Sequence, residues 1–235
     1  MGPADATPQE SRPAFYALKP GGWHDYVTLL HVPYTAWHLA YVVVGGCLVA
    51  GVAWGRLALT VLAFVLAMGI GAHALDELRG RPLQTTIPSR VLVALAVLSV
   101  TAACGIGIAV ALETTLWLLP LVALGAFLVP AYNLELLGGR VHTDLAFALA
   151  WGAFPVVTAF VAQASAIHAE AILAAVWATL LSLAQRRLSI QVRRVRRGAG
   201  VSAEERRLAD APESALKLLA ASTVAVAAAL VALRL

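Results

Sequence analysis

The sequence predicts an all-α integral membrane protein, a bundle of about seven transmembrane helices. Three observations predict it. The chain has 235 residues, of which 60% are hydrophobic and only 13% charged. A soluble domain carries about 45–50% apolar and about 25% charged residues. The apolar residues gather into runs of about 20, the length that crosses a bilayer core as a helix. Basic residues concentrate in every second connection between those runs, the pattern that membrane orientation imposes.

The chain divides into a polar and interfacial N-terminal segment, residues 1–30, and a transmembrane helical domain, residues 31–235. Residues 1–20, with Pro3, Pro8, Pro13 and Pro20, read as a disordered tail, without the apolar stretch of a signal peptide. Gly21 to Leu30 reads as an interfacial segment, with Trp23 and Tyr26 at headgroup level. The first helix is predicted from Pro33 to Trp54. His31, Tyr34, Thr35 and His38 stand at spacings of three and four at its start and so share one face. Aromatic-belt packing with Tyr34 and Trp37, or a ligand near the mouth of a site, explains His31 and His38. Gly51 and Gly55 have the small-xxx-small spacing of a close helix contact.

Arg56 marks a short turn, and the second helix runs from Leu57 to Leu75. The third runs from Pro88 to Leu112, with proline in the first turn, where its missing N–H costs little. After Glu113 to Thr115 the fourth runs from Leu116 to Pro130 and on to Leu136, with Pro120 and Pro130 expected to kink or break it. The fifth spans Leu145–Ala164 around Pro155, with Thr143 and Asp144 as capping residues. The sixth spans Ile167–Leu188. A run of eight arginines follows, Arg186, Arg187, Arg193, Arg194, Arg196, Arg197, Arg206 and Arg207. The seventh begins near Ala215.

Orientation follows from these charges. Arg12 and Lys19, then Arg79, Arg81 and Arg90, then Arg140, then the eight arginines fall on one side, against Arg56 and Arg234 on the other. The N-terminus is therefore expected in the cytoplasm, in a plasma (inner) membrane. The three long polar loops then share that side and can roof one cavity. The net charge of +4 comes mostly from the arginine run, so it concerns anionic lipid and orientation rather than nucleic acid. Cys47 and Cys104 form no CxxC pair, and no phosphate-binding glycine loop, nucleophilic triad or HExxH is present. A transporter is disfavoured, because no inverted repeat or row of intramembrane charges is evident.

The densest chemistry lies between Gly71 and Leu83. His73, Asp76, Glu77, Arg79 and Arg81 cluster where an apolar run ends. Such a cluster is either a functional site or an ordinary loop whose arginines set orientation. His142 and His168 give no specific signal.

Asp76, the Arg79-Gly80-Arg81-Pro82-Leu83 element and Ile87-Pro88, together with Tyr132-Asn133-Leu134-Glu135-Leu136 and a fifth helix carrying Trp151-Gly152 and Pro155, resemble the UbiA superfamily of intramembrane prenyltransferases. The resemblance covers roughly residues 20–190. It implies transfer of a prenyl group from a prenyl diphosphate, or another isoprenoid lipid, to a lipophilic acceptor at the cytoplasmic face. It also implies Mg²⁺ held by Asp76 and Glu77, and His73, Arg79, Arg81, Tyr132, Asn133, Arg186 and Arg187 as substrate-binding residues. Asp76 joins Glu135 and Asp144 as the catalytic candidates, the latter two as bases for the acceptor's proton. This chain departs from the family pattern in three ways. Ala72-His73 stands where the family has Asn-Asp. No acid occupies Gln185 to Arg194, where a second Asp-rich motif belongs. The family has nine helices rather than seven. Arginines in place of the second metal site, a UbiA-type terpene cyclase, or a non-catalytic scaffold binding lipid or a partner subunit all follow from those departures.

Overall fold

A computed structural model describes residues 13–197 and 202–235. Pro3, Pro8 and Arg12 of the expected tail lie outside those residues, as do the side chains of Arg197 and Arg206 from the arginine run. The described chain is all-helical: α1 (Trp23–Leu29), α2 (Val32–Cys47), α3 (Trp54–Leu78), α4 (Ser89–Glu113), α5 (Leu118–Asn133), α6 (Asp144–Ala164), α7 (Ala169–Arg197) and α8 (Ala203–Arg234). Five of these helices are long and apolar enough to cross a membrane, or six if α1 and α2, bent by 43° at their junction, count as one span. Helix α5 is apolar but shorter. The protein is thus a multi-pass membrane protein.

Several boundaries differ from expectation, each for a physical reason. Helix α2 stops at Cys47 rather than Trp54, and Trp54 starts the next helix. Gly51 and Gly55 meet nothing within 4 Å and make no close contact. The close approaches are instead at Gly45, whose missing Cβ makes room for the Val156 carbonyl, and at Gly152, where an added Cβ would lie only 2.6 Å from the Ala178 carbonyl oxygen. Pro120 lies in the first turn of α5 and Pro130 near its end, so the helix continues through both. Helix α8 begins at Ala203, not Ala215, under a reciprocal Ser202–Glu205 capping box. The backbone and hydroxyl of Ser202 bond the Glu205 carboxylate and pull its pKa below the ordinary 4.5. Hydropathy does not show this extension of about three turns, because Ala203 to Glu213 is mostly polar.

Residues 13–20 are part of the fold rather than a tail. Ala17 is buried, the Leu18 amide donates to Thr28 Oγ1 at 3.0 Å, and Phe15 packs edge-on against Tyr34 at 6.2 Å. Lys217 of α8 sits 4.7 Å above the Phe15 ring.

Within a bilayer, apolar burial does not drive helices together, so small residues and shape do. Helices α2, α6, α7 and α8 pack as one group, with α3, α4 and α5 as the other, and α3 contacts α2 and α6 across the seam. Ala171, Ala175 and Ala178 repeat at helical spacing on the buried face of α7. Gly152 packs against the last of them, Ala178, and against Ser182. Trp37 and Tyr41 of α2 fill the group's centre with Val156, Ala178 and Leu216, and Trp37 Nε1 donates to Tyr41 Oη at 2.6 Å.

The two arginines that break the charge alternation prove to be helix caps. Arg56 donates to the Ala162 carbonyl at 3.0 Å, at the end of α6. Arg234 donates to the Cys47 carbonyl at 3.0 Å, at the end of α2. Helix C-termini expose carbonyls that a cation satisfies.

Candidate functional site

Helix α3 delivers the central cluster. Its middle, Val65–Ala72, is a π-helical turn before Leu78 closes the helix. Such turns carry one extra residue per turn and recur at functional sites. The resulting register separates two adjacent carboxylates. Asp76 faces a cavity. Glu77 is fully buried and holds the following loop: its oxygens accept from the Leu83 amide at 3.0 Å, and from the Thr85 amide and hydroxyl at 2.9 Å each. On the loop's other side, Asp25 accepts from the Thr86 amide at 2.7 Å and hydroxyl at 2.6 Å, and from Gly21 at 2.9 Å. Arg81, in the left-handed region at φ 53, donates to the Ile87 carbonyl at 2.6 Å and to Ser89 Oγ at 3.0 Å.

The second contribution comes from α5 to α7. Helix α6 also contains a π-helical turn, Leu149–Ala153, ahead of Pro155. Proline has no N–H to give the carbonyl four residues earlier, which is that of Trp151. His38 of α2 supplies the bond: its Nδ1–H donates to Trp151 O at 2.9 Å. Its Nε2 then accepts from the Gln185 amide at 3.4 Å. One residue further along α7 the pattern repeats. His142 donates from Nδ1 to the Tyr132 carbonyl at 3.1 Å, and its Nε2 accepts from Arg186 at 3.3 Å. His73 donates from Nδ1 to Gly69 O inside the first π turn at 3.0 Å. Its ring stacks on His31 with centroids 4.0 Å apart. In each case a carbonyl fixes the tautomer and aims Nε2 elsewhere.

These groups enclose a cavity of about 310 Å³ at the basic end of the bundle. Its walls carry Arg79, Arg186, Arg193 and Arg196 against the carboxylates of Asp76 and Glu135. Glu135 is paired with Arg79 at 2.7 Å. Arg196 is paired with Glu213 of α8. The inner wall is aromatic: Tyr132 lies 4.6 Å from Trp151 and 5.9 Å from Phe147, and Phe147 and Trp151 are parallel at 5.7 Å. The Arg186 guanidinium stands 5.5 Å over Phe147. A second cavity, about 90 Å³ and almost wholly apolar, opens between α3, α4, α5 and α6, lined by Phe64, Val100, Val122 and Phe154. A cluster including Met68, Val129, Tyr132 and Trp151 packs between the two groups of lining residues.

Of the residues expected from sequence, Asp76, His73, Arg79, Tyr132, Asn133, Glu135 and Arg186 line the polar cavity. Glu77, Arg81, Asp144 and Arg187 do not. Glu77 and Arg81 are committed to the loop, Arg187 is exposed on α7, and Asp144 holds Arg186 from outside at 3.0 Å. Thr143 is the residue that caps α6, accepting from Ala146 at 3.1 Å. His31, Tyr34 and His38 reach the cavity from the face predicted for them, and Thr35 turns back to the Leu30 carbonyl. The sequence reading missed His142, Gln185, Phe147 and the N-terminal Tyr16, whose hydroxyl lies 3.0 Å from His31 Nδ1. Gln185 bonds His38, and His142 links Tyr132 to Arg186, and only the fold makes them so. His168 is elsewhere, beside Glu170.

The donor set does not fit the magnesium pair that the family resemblance implies. Magnesium takes hard oxygen ligands in near-octahedral array. Glu77 is turned into the loop, and Glu135 is bound to Arg79. Among the described residues no group of three or more His, Cys, Asp or Glu side chains is placed to hold a metal ion. The arrangement suits an anion held by guanidinium groups, with an apolar remainder against the aromatic wall. No protein-family model, curated protein or solved structure matches the chain.

Proposed function

We propose that this protein is a UbiA-like membrane prenyltransferase that binds a prenyl diphosphate in the polar cavity and transfers the prenyl group to a lipophilic acceptor. The observation that supports it is the convergence of Asp76, Tyr132 and Arg186, from three different helices, on one cavity of about 310 Å³. The diphosphate sits among Arg79, Arg186 and Arg193, and the isoprenoid chain lies along Phe147 and Trp151. The C1–O bond of the allylic diphosphate breaks, and its electron pair leaves with the diphosphate. Preset guanidinium groups stabilise that developing charge at no reorganisation cost. The allylic cation meets the ring faces of Tyr132 and Trp151, which favour a cation. The acceptor attacks C1, and its proton passes to Asp76 or Glu135, the two carboxylates on the cavity. By the positive-inside rule the cavity faces the cytoplasm of a plasma membrane.

The burial of Glu77 and the missing second acidic motif favour a second reading, a UbiA-like scaffold that binds an isoprenoid lipid or a partner subunit without turnover. One experiment separates them. The purified protein is titrated with farnesyl and geranylgeranyl diphosphate, with and without Mg²⁺, as wild type and as Arg186→Met and Asp76→Ala. Binding weakened at least about tenfold by Arg186→Met, with pyrophosphate release that Asp76→Ala slows, supports transfer. Binding without release supports the scaffold. Absence of diphosphate binding sinks prenyl transfer.

A further inference from the structure

Two polar groups on the inner wall of the cavity are buried and have no hydrogen-bond partner: Tyr132 Oη and Gln185 Oε1. Both residues are more than nine-tenths buried, at 6% and 4% exposure, and both line the polar cavity. A buried polar atom left unpaired costs about 1–3 kcal/mol, so folded proteins rarely keep two on one wall without use. Their roles are fixed by their surroundings. The Gln185 amide nitrogen donates to His38 Nε2, so its oxygen is the free end and can only accept. The orientation is locked one step further back, because His38 is held on the Trp151 carbonyl that Pro155 cannot serve. Tyr132 offers a phenolic O–H donor. Tyr132 lies 5.9 Å from the Phe147 ring, and so does His38, whose Nε2 holds the Gln185 amide. The cavity lining therefore carries one unpaired acceptor and one unpaired donor, in a wall that also holds Phe147 and Trp151.

We propose that Tyr132 and Gln185 form a subsite for a hydroxyl group on a lipid-soluble molecule, with His38 as the positioning residue for the Gln185 amide. A hydroxyl can both donate, as Gln185 Oε1 requires, and accept, as the Tyr132 O–H requires. The subsite is distinct from the guanidinium groups that take the diphosphate. That this hydroxyl belongs to the prenyl acceptor rests on the reading above; the subsite itself does not.

The test compares farnesol with its methyl ether, titrated into the full chain in phosphatidylcholine nanodiscs and corrected for partition into empty discs. Both probes can accept from Tyr132, but only the alcohol can donate to Gln185. The wild type should prefer the alcohol by about tenfold or more, the cost of leaving one buried acceptor unpaired. Gln185→Leu should bring the alcohol-to-ether ratio to near one. Tyr132→Phe should weaken both probes about fivefold or more and leave the ratio in place. His38→Phe, which frees the amide to turn, should lower the ratio part of the way. A wild-type ratio near one overturns the subsite, as does a ratio that Gln185→Leu does not change. Should Gln185→Leu fail to fold, the wild-type ratio and the Tyr132→Phe response still decide. Farnesyl diphosphate serves as the separate arm. A ratio that persists in a protein binding no diphosphate sinks prenyl transfer and keeps the hydroxyl subsite. Diphosphate binding with a ratio of one does the reverse.

Discussion

The loop after α3 and the loop after α5 meet at the mouth of the same cavity, and they are built in opposite ways. The first is held from inside. Glu77 and Asp25 between them accept six hydrogen bonds from loop or neighbouring groups, as given above, and Leu83, Thr85 and Ile87 are buried. The second is held from outside. Glu135, Leu137, Gly138 and Gly139 take positive φ values in a run of exposed turns, tied down by Arg79 and by the Asp144–Arg186 pair. Carboxylates in the first loop are consumed by backbone amides. Those in the second are consumed by arginines. Charge that looks available in the sequence is therefore mostly structural in the first loop and mostly electrostatic in the second.

That contrast can be broken in order of expected effect. Glu77→Ala should cost most, about 3–5 kcal/mol, because it strands three buried donors at once. Thermal unfolding in detergent, followed by size-exclusion chromatography, checks it, and an unchanged midpoint would remove the inner anchor from the account. Asp25→Ala should follow at about 1–3 kcal/mol, with faster amide exchange at Thr86. Asp76→Ala, its neighbour's counterpart, should cost about 1 kcal/mol or less in the same assay. A loss as large as that of Glu77→Ala would mean the two carboxylates are not divided as described. Glu135→Gln should be smallest, about 0–1 kcal/mol, since its pair with Arg79 is half exposed on both sides. Its measurable consequence is salt sensitivity: raising ionic strength should erase the difference between this variant and the wild type.

Part of this is legible in the sequence alone. Asp76, Tyr132 and Arg186 each follow a long apolar run on the basic side, so alternation alone brings them to one end. The face shared by His31, Tyr34 and His38 is plain helical spacing. Glu77 was not legible, because nothing in a sequence says which of two adjacent carboxylates a returning loop will cover. Gln185 was not legible either, since its meaning depends on His38, far away on α2. The early start of α8 did have a signal. Ser202 and Glu205 stand at capping-box spacing, and hydropathy hid it. The inward fold of Phe15 and Tyr16 had none beyond their aromatic character, in a stretch otherwise polar and proline-bearing.

The π-helical turn at Val65–Ala72 sets how the two halves of α3 are clocked against each other. One residue of α-helix is about 100° of rotation. A single deletion that restored regular helix there would leave Trp54 to Phe64 seated against α4 and α6. It would swing His73, Asp76 and Glu77 together through roughly that angle. Asp76 would leave the cavity and Glu77 would leave its amides, without one side chain having been changed. The separation of a chemical carboxylate from a structural one is thus a matter of phase, written as one extra residue in an apolar stretch that carries no charge of its own.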